Sequence, residues 1–538
     1  MKHATSSSKV FWLFIVLLSL TGFFLGVYGF SNEHDTPFFD CNNFYDTFQL
    51  FILHHSFENK INFIWLECAR WVILLVFLLV TFQLFITIIA PRFIQYLKIR
   101  FFYRNHTIIC GLNAVSMELI NKNKGAKMVV ITFENNRYIE SVKQRKIKFI
   151  MGDPTDPFVL KMARIEHAGK LYALTDNDKI NLRIAQAAFL CSQNQRKRPE
   201  PLQCFTLIKD RRLKILLEES VLFKYKHPTF DGIPFNINEI GVKYGMAAHV
   251  AQILPKEMAT PPEILFVGLT ETTEMALLNL AHCLTMKREP FKFTIVEKNN
   301  EKIGAFQKEY AFLQDFVDIR MMNEIAPEKQ FDAIVIGIAH QTEAIKQAVE
   351  IRYLYGENHQ NKNILVLCNE PDTFHDVLKN ELKENSIFLI NLFTQIADYV
   401  FDLDHNIEEK AKEAHYFWNL IYNMDKEWDA LSGHFKQSNR NQILDHYLKT
   451  YIVFGKKFDE VKNQLVAFSD YDKETLAMME HRRWMLEKFD NGWVTGERND
   501  AFKRHNCLIY WEQLPKNQQA KDYDTVNLML KLLNKQSK

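Results

Sequence analysis

The stretch Met151–Ala185 reads MGDPTDPFVLKMARIEHAGKLYALTDNDKINLRIA. Its start closes an apolar run, IKFIMGD, with the character of a buried strand. Asp156 is placed to cap a helix whose first residue is Pro157, where the missing N–H costs nothing. Phe158, Met162 and Ile165 then fall roughly along one helical face. LYALT (171–175) is another apolar strand, and DNDKINLRIAQAA opens a second helix. Strand, helix, strand, helix in this order predicts a doubly wound parallel sheet of the α/β class.

Upstream, HTIICGLNAVS (106–116) has the outline of a strand, a glycine turn and a helix, and MVVIT (128–132) supplies the next strand. The plan recurs around 150 residues later. EILFVGLTETTEMALLNLAHCL gives strand, turn and helix, and FKFTIVEKN, VDIRMMN, FDAIVIGIAH and KNILVLCNE give further strands. A duplicated nucleotide-binding unit is therefore predicted.

The opening block resembles the second half of a regulator of potassium conductance domain (RCK, or TrkA-N). The resemblance rests on Gly152, Asp153, Thr155 and Asp156 in the first turn, then Thr175, Asp176, Asp178 and Asn181. From Glu263 onward the resemblance is one of architecture. It implies two Rossmann-like sheets and a cofactor cradle. Gly111, Asn113, Glu134, Asp153 and Asp176 would form it in the first half, Gly268 and Glu297 in the second.

A full dinucleotide fingerprint has three glycines, because backbone must approach a pyrophosphate closely at a helix N-terminus. Here Asn113 and Ser116 follow Gly111, and Thr270 and Thr273 follow Gly268. Thr132 stands where an acidic ribose ligand is common, with Glu134 two residues later. Two readings stay open: an adenine nucleotide or NAD in these turns, or a fold kept for assembly alone. Asp153, Asp176 and Asp178 also read as strand-end and cap residues, with Asp176 near any bound ribose.

Two uncharged runs precede this region. Val10–Phe30 has 21 residues, enough to cross the hydrocarbon at about 1.5 Å per residue. A signal peptide would have a shorter core and a small-residue cleavage site. A second run, Trp71–Ala90, ends at Pro91 and is preceded by Glu67 and Arg70 at the membrane edge, candidates for a pore or an interfacial ion pair. Lys2, Lys9, Arg92, Lys98, Arg100 and Arg104 flank the spans, whereas the intervening loop is acidic. The positive-inside rule then puts both termini in the cytoplasm of a prokaryotic cell with a multi-pass hairpin in its inner membrane. FYDTFQLFIL (44–53) reads as a short amphipathic or re-entrant helix, as would precede a filter. Yet Ser31–Lys60 contains no glycine, which argues against a carbonyl-ladder potassium filter of the usual kind.

From about Asn406 the chain becomes helical and aromatic. LAMMEHRRWMLEKFDNGWVTGERND holds Glu480, His481, Arg483, Trp484, Gly492, Trp493, Gly496 and Arg498. With His505, Trp511, Leu514, Asp522 and Asp524 downstream, this block resembles the RyR domain named for the repeats of ryanodine receptors. Asn506 and Tyr523 stand where that family usually has Pro and Arg. A ligand pocket from Glu480, His481, Arg483, Trp484, Trp493 and Arg498 would stack a base and bind phosphate. The plainer alternative is core tryptophans and a Glu480–Arg483 pair on the helix surface.

The net charge of +2 and the ordinary composition, 47% hydrophobic and 24% charged, argue against a nucleic-acid binder. The eight cysteines are scattered without ligand or CxxC spacing, so neither a metal site nor a disulfide framework is predicted. Nothing stands out as a catalytic constellation. The expected organisation is a membrane hairpin with stalk at 1–98 (spans about 10–30 and 63–90, external loop 31–62). A first RCK-like domain follows at 104–260, a second at 261–405 and a RyR domain at 406–538. The expected function is that of a homo-oligomer, dimer or tetramer, with a ligand-gated, channel-like role, a nucleotide-type ligand and the lipid bilayer as partners. A nucleotide-activated membrane-disrupting effector is the alternative, and an anchored NAD-dependent enzyme the third.

Overall fold

The computed structural model describes residues 6–52, 64–85, 90–123, 125–133, 136–193, 200–326, 329–338, 340–355, 363–368, 375–400, 405–431, 433–462 and 464–535. The chain forms two compact units, Met1–Phe102 and Tyr103–Lys538.

In the first unit, helices Ser6–His34 and Ile64–Leu84 pack against each other, with a short helix Cys41–Phe51 between them in sequence. Phe11–His34 and Ile64–Leu84 are long and apolar enough to cross a membrane. Residues 86–89 lie outside the described residues, and beyond them helix Ala90–Phe102 carries Pro91 near its printed start, where proline is tolerated. Asp40 caps the short helix by accepting from the Asn42 N–H at 2.8 Å.

Close packing in this unit depends on three glycines, Gly22, Gly26 and Gly29. A Cβ on Gly22 would sit 3.1 Å from both Ile73 Cγ1 and Val72 Cγ1, and one on Gly26 would sit 2.7 Å from Thr47 Cγ2. On Gly29 it would sit 2.6 Å from Leu66 Cδ2 and 3.2 Å from the Leu66 backbone N. Small residues at such spacing let apolar helices approach without a hydrophobic driving force. The backbone neighbour makes Gly29 the least adaptable of the three. Gly29→Leu is expected to cost about 1–3 kcal/mol by overpacking. Amides of Ile64–Leu84 in detergent should then exchange roughly ten- to a hundredfold faster. Unchanged exchange would show that the helices have room to spare.

The second unit holds two six-stranded parallel sheets. The first contains β1 (His106–Cys110), β2 (Met128–Thr132), β3 (Lys148–Met151), β4 (Ala168–Ala173), β5 (Leu202–Leu207) and β6 (Phe230–Phe235). The second contains β7 (Glu263–Val267), β8 (Lys292–Val296), β9 (Asp318–Met322), β10 (Ala333–Ile336), β11 (Asn363–Cys368) and β12 (Ile387–Asn391). Their orders are β3-β2-β1-β4-β5-β6 and β12-β11-β10-β7-β8-β9. Renumbered within each half, both follow the doubly wound order 3-2-1-4-5-6. Central strands are buried on both faces, as near-continuous apolar runs require.

In each half the order reverses between the first and fourth strands, β1 beside β4 and β7 beside β10. Each glycine turn leaves the C-terminal end of a strand at that reversal, the usual place for a ligand crevice in such sheets. Beyond the sheets lie the helices His405–Tyr422, Gly433–Phe454, Asp470–Asp490 and Lys516–Asn534 and a short ladder of β13 (Val494–Thr495) and β14 (Arg504–His505). One apolar core runs from the first sheet (Ile109, Tyr172) through the second (Phe266, Phe293) into these helices (Leu448, Leu486, Leu528).

Candidate functional site

Two kinds of place could hold a ligand: the sheet turns, and the junction where C-terminal helices meet both sheets.

At the first turn Gly111 has φ +98, a left-handed value suited to glycine. A Cβ there would lie 2.9 Å from the Thr175 backbone N of the neighbouring strand end. Asn113 is the N-cap of helix Ala114–Lys122. Its Oδ1 accepts from the Ser116 N–H at 3.1 Å, and Ser116 Oγ accepts from the Asn113 N–H at 2.8 Å, a reciprocal capping box. Asn113 Nδ2 donates to Leu174 O at 2.7 Å and lies 3.5 Å from Asp176 Oδ1. Asp176 is exposed and pairs with Lys209 at 3.1 Å.

The second turn repeats this arrangement with different residues. Gly268 has φ +81, and Thr270 and Thr273 form the capping box of helix Glu271–Leu280. Thr270 Oγ1 donates to Gly337 O at 2.6 Å, crossing to the neighbouring strand as Asn113 does. Glu297 turns onto the same loop, accepting from Leu269 N and Asn299 N at 2.9 and 3.0 Å. Partial burial would raise this carboxyl, but those N–H groups and Lys302 outweigh it and hold it low. In both halves, then, polar side chains stand where a glycine fingerprint leaves open backbone, and they bond to the turn itself.

Asp153 closes its own turn, accepting from the Thr155 N–H and hydroxyl, both at 2.7 Å. The described contacts do not bring it to Gly111 or Asp176. Glu134 lies outside the described residues. Asp178 accepts from Lys209 N and Asp210 N, and buried Asn181 ties Thr175 to Leu207 O. The aspartates of the opening stretch thus brace strand ends and loops.

The residues of the C-terminal block divide into three places. Glu480, buried, and Arg483, partly buried, belong to an ion-pair chain. His282 Nε2 meets Asp445 Oδ1 at 2.6 Å, Asp445 pairs with Lys449, and Lys449 Nζ lies 2.7 Å from Glu480 Oε2. Glu480 accepts from Arg483 at 2.7 Å, and Arg483 donates to Glu487 at 2.8 Å. Burial alone would raise the Glu480 carboxyl, but Arg483 and Lys449 outweigh it and bring it to about 2. Glu480 and Arg483 do pair at i, i+3, but with the carboxylate buried and the guanidinium partly so, not as an open helix-surface pair. His481 and Trp484 occupy another face of the same helix. The His481 ring stacks on Trp484 at 5.8 Å and bonds Ile509 O through Nε2, while Trp484 meets His505 edge-on at 5.0 Å. Arg498 stands apart, exposed and paired with Asp500. Trp493 lies with Arg483 on the wall of a cavity of about 220 Å³.

That cavity was not anticipated. Helices Arg211–Glu218 and Ile237–Ala248 of the first half and Glu271–Leu280 of the second contribute to its wall, as do Gly433–Phe454 and Asp470–Asp490. Arg211 pairs with Asp490 across it, and Lys214 with Glu239 on the first-half side. Arg482 donates to Ala281 O, His282 O and Phe316 O, joining the C-terminal helix to the second half. The signal in the sequence was a charged pair at i, i+4, Asp445 and Lys449, inside the largely apolar and aromatic stretch ILDHYLKTYIVF.

Residues 107–198 match the TrkA-N domain and residues 458–537 match the RyR domain. The chain is therefore an α/β protein with two long apolar helices near its N-terminus, parts of which match two known domain families. In particular, it carries a TrkA-N domain in its first half and a RyR domain at its C-terminal end. Over 75 residues, 14% of its length, it is 37% identical to the calcium-gated potassium channel TvoK of Thermoplasma volcanium. The matched segment spans 21% of that channel. The GsuK channel bound to NAD has 13% identity and a TM-score of 0.39, with coverage of 74% of this chain and 83% of that one. GsuK bound to ADP has 16% identity and a TM-score of 0.40, with coverage of 73% and 97%. The human SLO3 gating ring has 10% identity and a TM-score of 0.39, with coverage of 56% and 83%.

Proposed function

We propose that this chain is a ligand-gated, channel-like membrane protein that assembles as a homo-oligomer. Helices Ser6–His34 and Ile64–Leu84 would span a prokaryotic inner membrane, with the unit from Tyr103 onward in the cytoplasm. That unit would sense a small nucleotide-type ligand and shift membrane permeability. The observation that carries this reading is the joining of a TrkA-N domain and a RyR domain by one continuous core, in a chain with two membrane-length apolar helices. The likeness of a segment to a calcium-gated potassium channel supports a gating role. A ligand shifts such an assembly only through different affinities for its two states.

One observation favours a second reading. No glycine lies between Ser31 and Lys60, so a filter built as a backbone-carbonyl ladder has no residue suited to its turns. A nonselective, membrane-disrupting opening fits that loop as well as an ion path does.

Liposomes carrying the protein separate the two. Selective ion flux on adding a nucleotide supports the channel, and leakage of a trapped dye supports the disrupting effector. Ligand-independent impermeability to both would refute the proposal. Glu67 and Arg70 pair at 2.9 Å, each about half exposed. If they line a path, Glu67→Gln or Arg70→Gln should change flux several-fold. If they form only an interfacial pair, each change should be nearly silent, since exposed pairs contribute about 0–1 kcal/mol.

A further inference from the structure

We infer that the cavity at the junction of the two sheets and the C-terminal helices is a site for a single nucleoside monophosphate. This deepens the proposed function and rests on it for the idea of sensing, but its support is separate from the glycine turns.

The cavity is amphipathic. Met275, Leu278, Leu448 and Leu486 supply an apolar floor suited to a planar base. Trp493 lines one side. Lys488 and Lys503 lie at the same end, and neither has a carboxylate partner within 4 Å among the described residues. Lys488 instead sits 4.4 Å from the Trp493 ring centre, and Lys503 donates to Asn491 O at 3.0 Å. By contrast, the acidic residues Glu239, Glu487 and Asp490 of the same wall are each engaged by a lysine or arginine. The positive charge left for a ligand is therefore at the Lys488 and Lys503 end.

Among the described residues, three buried polar atoms on this wall have no hydrogen-bond partner, and one of them, Asp445 Oδ2, is ion-paired with Lys449. Arg211 is 10% exposed in its side chain, and its guanidinium pairs with Asp490, yet its Nε–H has no acceptor. Gln437 donates to Asn441, but its Oε1 has no donor. An unpaired buried donor or acceptor costs about 1–3 kcal/mol, so a ligand that supplies one acceptor and one donor relieves a standing penalty. Phosphate oxygens suit Lys488, Lys503 and the Arg211 N–H; a base or ribose donor suits Gln437. At about 220 Å³ the cavity is smaller than the roughly 300–1,000 Å³ clefts of drug-sized ligands. That favours one nucleotide and disfavours a dinucleotide such as NAD. Because its walls come from both sheets and the RyR-domain helices, occupancy would bear on all three at once.

The test uses the full chain in detergent, titrated calorimetrically with AMP, GMP, NAD and inorganic phosphate. AMP or GMP should bind more tightly than phosphate or NAD. Lys488→Ala with Lys503→Ala should weaken that binding about a hundredfold, two charge-assisted bonds at about tenfold each. Leu278→Trp should abolish it by filling the floor; should that variant misfold by circular dichroism, the lysine pair still decides the matter. Asp176→Ala, at the first glycine turn, should leave it unchanged. Mononucleotide affinity within about twofold in the lysine variant, its loss in Asp176→Ala, or absence of AMP and GMP binding would each overturn the cavity site. Nucleotide-triggered flux without cavity binding would overturn this inference and leave the proposed function standing. Cavity binding without any flux would do the reverse.

Discussion

Lys449→Met should destabilise the unit from Tyr103 onward by about 3–5 kcal/mol, the usual cost of removing one partner from a buried ion pair. Lys449 is 1% exposed and bonds both Asp445 and Glu480. Methionine of similar length would leave two carboxylates facing each other without their common cation, in surroundings where Arg483 alone faces Glu480 closely. The cost is one of orphaned charge, not lost volume. Asp445→Asn and Glu480→Gln added to Lys449→Met should therefore recover much of it, because a buried charge cluster replaced as a whole is often neutral. Urea unfolding of the full chain checks this through tryptophan fluorescence. Trp418, Trp428, Trp484, Trp493 and Trp511 all lie in the C-terminal block. With a denaturant slope of about 1–3 kcal/mol/M, the midpoint should fall by roughly 1–5 M in the single variant. A shift below about 0.3 M would mean that water or a rearranged side chain compensates the carboxylates.

The sheets were legible because central parallel strands are buried on both faces and read as unbroken apolar runs. HTIICGL, MVVIT, EILFV and FDAIVIG each announced a strand that is present, as did the helix start at Asp156 and Pro157. Strand β6 was not legible, for a physical reason. FDGIPF contains Asp231, Gly232 and Pro234, and a proline lacks the N–H a central strand needs; it is tolerated here because β6 is an edge. β12 is likewise an edge, whereas LQCFTL of β5 has the apolar pattern of an inner strand. In the hairpin, the spacing of Gly22 and Gly26 was a readable signal for close helix packing.

The candidate site was less legible than the fold. Asn113 and Ser116, or Thr270 and Thr273, announce missing glycines, but not that each pair closes its turn as a capping box. Local sequence shows what a turn lacks and not where the replacement side chains point. Glu480 with Arg483 gave an i, i+3 pair but no sign of burial, because the residues that bury it, Asp445, Lys449 and His282, are distant in sequence. The junction cavity has the same origin: Arg211, Gln437 and Lys503 meet only after three modules have folded together.

His446→Leu should stabilise the unit and remove most of its sensitivity to mild acid. His446 is fully buried beside this cluster, and among the described residues neither ring nitrogen has a hydrogen-bond partner. Burial, with Lys449 next in importance, pushes its pKa down from 6.5 to about 4. The folded state therefore holds the ring neutral where the unfolded chain would protonate it. A depressed pKa makes the associated stability fully present above about pH 6.5, and it is lost as pH falls toward 4. At about 1.4 kcal/mol per pH unit, the loss across that window approaches about 3.5 kcal/mol. His282, which burial also pushes down despite Asp445, adds to the decline in the same direction. Glu480 enters only later, since its carboxyl titrates at about 2 and its contribution fades below about pH 4.5. Leucine removes the titrating group and two unsatisfied nitrogens together, so a gain of about 1–3 kcal/mol is expected at pH 7. Urea midpoints at pH 7.0 and 5.0 measure both effects. The wild-type midpoint should drop between them and the variant's should drop less than half as far. An equal drop in the two proteins would assign the acid sensitivity to other groups, and a lower midpoint for His446→Leu at pH 7 would mean that the ring is hydrogen-bonded through water.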